Sequence, residues 1–141
     1  MEKMSESYIN QIKIEKALEL VCPLFKDGLI TDAYLVGSIA EGKATNFSDI
    51  DINLINPLFE INPSFPVFDL MPEEKYSPNI KKIVDYLKQF GIEFKMIKRK
   101  NIDFWYQFYK GELFHIMLTK DEKDTLMPRF QITKELCKWF I

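Results

Sequence analysis

At 141 residues, 47% of them hydrophobic, the chain has enough apolar side chain for one compact core and too little length for several. A formal net charge of -2 argues against a protein that coats nucleic acid through bulk charge, while leaving room for a local basic patch. No apolar run reaches membrane-spanning length and the opening MEKMSESYIN carries no signal-peptide apolar region, so a soluble, cytoplasmic chain with no membrane partner is expected.

The first predicted element is a helix from Tyr8 to Phe25. Ile9, Ile12, Leu18, Val21 and Phe25 recur at helical steps, with Glu15, Lys16 and Glu19 between them, and Pro23 weakens the last turn. Gly28 and the polar pair Thr31-Asp32 then lead into Ala33-Tyr34-Leu35-Val36, an apolar run of the length of a buried strand. Gly37-Ser38 ends it abruptly. Glu41 to Ser48 has the composition of a solvated turn, after which Asp49-Ile50-Asp51-Ile52-Asn53-Leu54 alternates strictly between polar and apolar.

That alternation carries chemistry. A strand has period two, so Asp49 and Asp51 share one face while Ile50, Ile52 and Leu54 take the other. Two carboxylates side by side repel each other unless a cation offsets them, and carboxylate oxygen is the ligand that Mg²⁺ prefers beside substrate phosphates. Gly37 allows close backbone approach, and the amides that follow could cradle phosphate oxygens if a helix began there. Against this, Asp49 and Ser48 also suit a turn, but Asp51 lies inside an apolar strand where an unpaired carboxylate is costly.

Residues 56–79 hold Pro57, Pro63, Pro66, Pro72 and Pro78 together with Phe59, Phe65 and Phe68. So many prolines exclude a helix or central strand, and the aromatics need burial, so a long loop packed on the body is predicted, either a mere insertion or a lid or binding element over the nucleotide or a partner. Ile80 to Phe90 is an amphipathic helix stopped by Gly91, and Ile92 to Arg99 alternates as a strand. Lys95, Lys98, Arg99 and Lys100 form the most basic stretch: a solvated strand edge, or a phosphate or nucleic-acid contact. Asn101 to Tyr109 is dense in aromatics and reads as a short helix whose aromatics serve the core or base stacking, Glu112 to Thr119 as a strand, and Thr133 to Ile141 as a terminal helix packed on the body or offered to a partner. Cys22 and Cys137 lack metal-ligand spacing and sit in apolar helical patterns, which predicts buried free thiols in a reducing cytosol.

The stretch Asp32–Ile55 resembles the nucleotidyltransferase superfamily of DNA polymerase β, in particular its small single-domain members. The resemblance is carried by an apolar strand, Gly37-Ser38, a spacer, and Asp49-Ile50-Asp51, with Ala40, Gly42 and Ser48 matching the small members further. It implies an α/β (α+β) fold in which a mixed sheet of about four strands is flanked by helices, here as one domain over residues 1–141 with an insertion at 56–79. It also implies an NTP substrate and Mg²⁺, two ions in an active enzyme, held by Asp49 and Asp51. Gly37, Ser38, Lys43 and Ser48 would face the nucleotide.

Two positions depart from the family's pattern. Relatives carry a third carboxylate on a later strand; chain order points to the strand of Glu112–Thr119, where the corresponding polar residue is His115, the only histidine. His115 could act as a base, and Glu93 or Glu112 could substitute as the carboxylate. The second departure is Glu41, where many relatives carry arginine, with Lys43 as the nearest replacement charge.

Two functions compete. One is Mg²⁺-dependent transfer of an NMP group from an NTP to a hydroxyl on a protein or small molecule, with Asp49, Asp51 and His115 as the catalytic residues. The other is a degenerate module that binds nucleotide or partner without transfer. The resemblance extends to antitoxin-like members and so to a helical toxin-like protein partner; it leaves nucleic acid and a homodimer open.

Overall fold

The computed structural model describes residues 6–59, 77–89, 96–98, 102–121 and 128–140. Among these residues, three helices and six strands follow in the order α1 (Glu6–Lys26), β1 (Asp32–Val36), β2 (Ile50–Ile55), α2 (Pro78–Lys88), β3 (Met96–Lys98), β4 (Ile102–Tyr109), β5 (Glu112–Thr119), β6 (Arg129–Ile132) and α3 (Lys134–Phe140). The strands form one mixed sheet, β3-β4-β5-β2-β1-β6, in which β2 and β5 are parallel and every other neighbouring pair is antiparallel.

The expected α+β class with a mixed sheet and flanking helices stands, and the sheet is wider than the four strands expected. One reason is Ile102–Tyr109, which the aromatic spacing had assigned to a helix and which is strand β4. Aromatic and β-branched residues suit a pleated surface as well as a helix face. The decision falls at Lys110-Gly111, where both residues take positive φ (52° and 78°), the geometry of a tight two-residue hairpin turn that folds β4 back onto β5. The other reason is β6, a strand of four residues with one buried side chain, added beyond β1.

The two faces of the sheet differ. Ala33, Leu35, Ile50, Ile52, Leu54, Phe114, Ile116 and Leu118 point to the face covered by α1 and α2 and form the main core with Leu20, Leu24, Ile83 and Leu87. Tyr86 ties the two helices by donating its hydroxyl to the Leu20 carbonyl at 2.6 Å. The opposite face carries a smaller buried cluster of Tyr34, Val36, Ile55 and Met117, and it is on this side that Asp51 and His115 lie.

α1 continues through Pro23 to Lys26, and α2 starts with proline in its first turn, where a missing amide hydrogen costs nothing. Of the Pro/Phe-rich segment, Phe59 is fully buried in the main core; Pro63, Phe65, Pro66, Phe68 and Pro72 lie outside the described residues. So do Lys95, Arg99 and Lys100 of the basic stretch.

The cysteines overturn their expectation. Cys22 of α1 and Cys137 of α3 form a disulfide, with Cα atoms 5.4 Å apart, so neither is a free thiol. Each lies on the buried side of its own helix, and where α3 packs against α1 the two buried sides coincide. No helix among the described residues is long and apolar enough to cross a membrane.

Candidate active site

The antiparallel register of β1 against β2 sets Val36 opposite Asp51, and the parallel register of β2 against β5 sets Asp51 beside His115. Gly37 follows Val36 directly, so the end of β1, the start of β2 and the start of β5 converge on one carboxylate. Directly opposed residues in a sheet project to the same face, which brings Asp51 and His115 together. His115 Nδ1 stands 3.3 Å from Asp51 Oδ1. The other oxygen, Oδ2, faces Gly37: a β-carbon at residue 37 would lie only 2.5 Å from it. Asp51 is therefore held edge-on between a glycine and an imidazole.

Gly37 has φ +70°, a conformation that side chains rarely adopt, and it opens a run of turns rather than a helix. Glu41 N–H donates to the Gly37 carbonyl (3.2 Å), Gly42 N–H to Ile39 (3.0 Å) and Lys43 N–H to Ser38 (2.9 Å). Asn10 of α1 anchors this loop by donating to the Ile39 carbonyl at 3.1 Å. The helix N-terminus that would have presented a row of amides to phosphate is replaced by these turns.

Ser48 and Asp49 precede β2, and both are half-buried. Thr45 N–H donates to the Ser48 hydroxyl oxygen at 2.9 Å, so that side chain closes the loop leading into the strand. Lys43 and Glu41 are both exposed on the preceding turn. Phe47 stands almost fully in solvent at the loop tip.

Beneath the loop lies a charged cluster that has no local signature in the sequence. Lys13, at 1% exposure, donates from Nζ to the Ser48 carbonyl (2.8 Å) and to Glu112 Oε2 (2.6 Å). Lys16 donates to Glu112 Oε1 (3.0 Å) and to the Lys110 carbonyl (3.2 Å). A buried ammonium is tolerated only when paired and hydrogen-bonded, and this one is both. The cluster ties α1 to the residue before Asp49 and to the β4–β5 turn. It also consumes Glu112, both of whose oxygens are bound to lysine, which removes it as a substitute for the third carboxylate. Glu93, the other substitute, lies outside the described residues.

The structure thus assembles Gly37, Asp51 and His115, leaves Asp49 one residue ahead of the strand, and keeps Lys43 at the surface. Sequence reading missed Lys13, which alternates with Ile12 and Ile14 and looks like an ordinary helical lysine, and Arg129, which opens β6 opposite Val36. Neither has a local signal: one is identified by burial, the other by strand pairing.

The carboxylates that could take part in holding a metal ion here are those of Asp49 and Asp51. Among the described residues no group of three or more His, Cys, Asp or Glu side chains is arranged to hold a metal ion. The close fit of Asp51 against Gly37 nevertheless suits an ion that takes one or two protein carboxylates and completes its shell with substrate phosphate and water.

No curated protein and no solved structure matches the chain. A family model described as a nucleotidyltransferase domain matches residues 14–126, a span that includes the Gly37 turn, Asp49, Asp51, His115 and the whole of β1 to β5. On that match the chain belongs to the nucleotidyltransferase domain family.

Proposed function

We propose that the chain transfers an NMP group from an NTP, with Mg²⁺, to a hydroxyl on a protein or small molecule. The observation that carries this reading is the Asp51 carboxylate fixed between Gly37 and His115 at the convergence of β1, β2 and β5. An acidic side chain packed this closely against a backbone turn has its geometry set before any ligand arrives.

In this reading Asp49 and Asp51 hold Mg²⁺, which would offset triphosphate charge. The turn at Gly37-Ser38 receives the phosphates at close backbone approach, with Lys43 and Ser48 on the loop beside it. The acceptor oxygen forms a bond to the α-phosphorus, the bond from that phosphorus to the bridging oxygen breaks, and pyrophosphate leaves with the electron pair. His115, beside Asp51 through Nδ1, would take the hydroxyl proton in a conformation that opens Nε2 to the acceptor.

One observation favours a second reading, a module that binds nucleotide or a protein partner without transfer. The His115 Nε2 atom is closed to solvent, so an acceptor hydroxyl does not reach it in this conformation. The experiment is incubation with labelled ATP, GTP, CTP and UTP plus Mg²⁺, beside the Asp49→Asn/Asp51→Asn double variant. Label transferred to the chain or to a co-expressed partner, and absent in the variant, supports transfer. Nucleotide binding that depends on Mg²⁺ but yields no labelled product supports the second reading, and absence of both overturns transfer and nucleotide binding alike.

A further inference from the structure

A triphosphate is strongly anionic, and the end of the sheet that would receive it already carries Asp49, Asp51 and the exposed Glu41. Two carboxylates with a metal ion leave most of that negative charge to be met by protein cations. Lys13 is buried and committed to Glu112 and the Ser48 carbonyl, and Lys43 stands on an exposed turn.

Strand pairing supplies another cation. Val36 is opposed by Asp51 on one side and by Arg129 on the other, and Asp51 is in turn opposed by His115. His115, Asp51, Val36 and Arg129 therefore form one row across four neighbouring strands and project to the same face. Two strand spacings, about 10 Å, separate Asp51 from Arg129 at the backbone, with the Gly37 turn emerging between them. The guanidinium carbon lies over the Tyr34 ring, 4.7 Å from its centre. Phosphate is bound by the in-plane N–H donors of a guanidinium, a forked geometry that an ammonium group does not offer.

We propose that Arg129 is a triphosphate-binding residue, placed by β6 on the far side of the Gly37 turn from Asp51. The inference rests on the nucleotide-binding reading above and adds a residue beyond the matched span of 14–126.

The test compares binding of a non-transferable α,β-methylene ATP analogue, inorganic tripolyphosphate and adenosine, with Mg²⁺, by calorimetry. The proteins are wild type and Arg129→Met, which keeps an apolar stem on Tyr34. Loss of a charge-assisted contact predicts about ten- to a hundredfold weaker binding of the analogue and tripolyphosphate, with adenosine changed less than about twofold. Equal affinity in both proteins overturns the assignment of Arg129 while leaving nucleotide binding intact, and so does a loss that falls equally on adenosine. Should Arg129→Met not fold, Arg129→Lys is read by the same comparison. A loss of at least about threefold confined to the phosphate-bearing ligands supports a bidentate guanidinium contact, and no loss overturns it. Wild type that binds none of the three ligands overturns both readings together.

Discussion

Gly37 and Asp51 are mutually dependent: the carboxylate occupies space that any side chain at residue 37 would need, 2.5 Å from where its β-carbon would stand. Gly37→Ala therefore costs twice, through φ +70° and through displacement of Asp51. Gly42 separates the two costs, because it has φ +73° with nothing within 4 Å of the equivalent position. Gly42→Ala is expected to lose only the backbone term, roughly 1 kcal/mol of stability. Gly37→Ala is expected to lose more and, in addition, to abolish Mg²⁺-dependent nucleotide binding. Denaturation and calorimetry on the pair check this; equal behaviour of the two variants would remove the special role of Gly37.

The difference between those glycines also marks where the sequence stops being informative. Both read as turn glycines, and only contact between β1 and β2 shows that one of them faces a carboxylate. The Asp49–Asp51 alternation was legible because strand period is a local property, and the match of Gly37 to a turn was legible for the same reason. His115 was located by chain order, but its position beside Asp51 depends on a parallel register between strands separated by the whole of α2, β3 and β4. Aromatic spacing over Ile102–Tyr109 suits either period, so the helix expected there is a strand, and the deciding signal is the Lys110-Gly111 turn. β6 offers four residues with one buried apolar side chain, too little to stand out. Cys22 and Cys137 are 115 residues apart, and no local pattern connects them.

The disulfide predicts a redox dependence of stability. It joins α1 to α3 and closes nearly the whole chain into a loop, which restricts the unfolded ensemble most when the loop is long. Reduction, or Cys137→Ser, is expected to lower unfolding free energy by about 2–5 kcal/mol. Denaturant titrations with and without reductant measure it. Two titratable thiols in protein purified without reductant would contradict the pairing outright.

Tyr86 predicts a pH dependence. Burial pushes its hydroxyl well above the ordinary tyrosine value near 10, with smaller contributions from Tyr109, Asp27 and Glu19. The protonated hydroxyl is the form that donates to Leu20. A group with its folded pKa raised contributes stability that is fully present below the unfolded value and is lost as pH climbs above it. Wild type should therefore lose stability above pH ~10 more steeply than Tyr86→Phe, which should itself be weaker by about 1 kcal/mol at neutral pH. Parallel alkaline limbs for the two proteins would show that Tyr86 does not carry this dependence.

Lys13 is the residue on which the site's scaffold is expected to depend most. Its ammonium is buried, bonded at 2.6 Å to Glu112 and at 2.8 Å to the carbonyl of the residue before Asp49. Removing one partner of a buried ion pair leaves the other charge uncompensated, so Lys13→Met should cost about 3–5 kcal/mol. Lys16 binds the same carboxylate from a side chain that is 27% exposed, and Lys16→Met should cost about 1 kcal/mol or less. Replacing the pair together separates charge from packing. In Lys13→Met/Glu112→Leu no buried charge is orphaned, and stability should recover by most of the loss. The Ser48 carbonyl stays without its lysine in that double variant, so the start of β2 loses its tether. Recovered stability with weakened Mg²⁺-dependent nucleotide binding is the expected result, and it would assign Lys13 the task of positioning Asp49. Full recovery of both would restrict Lys13 to holding the fold.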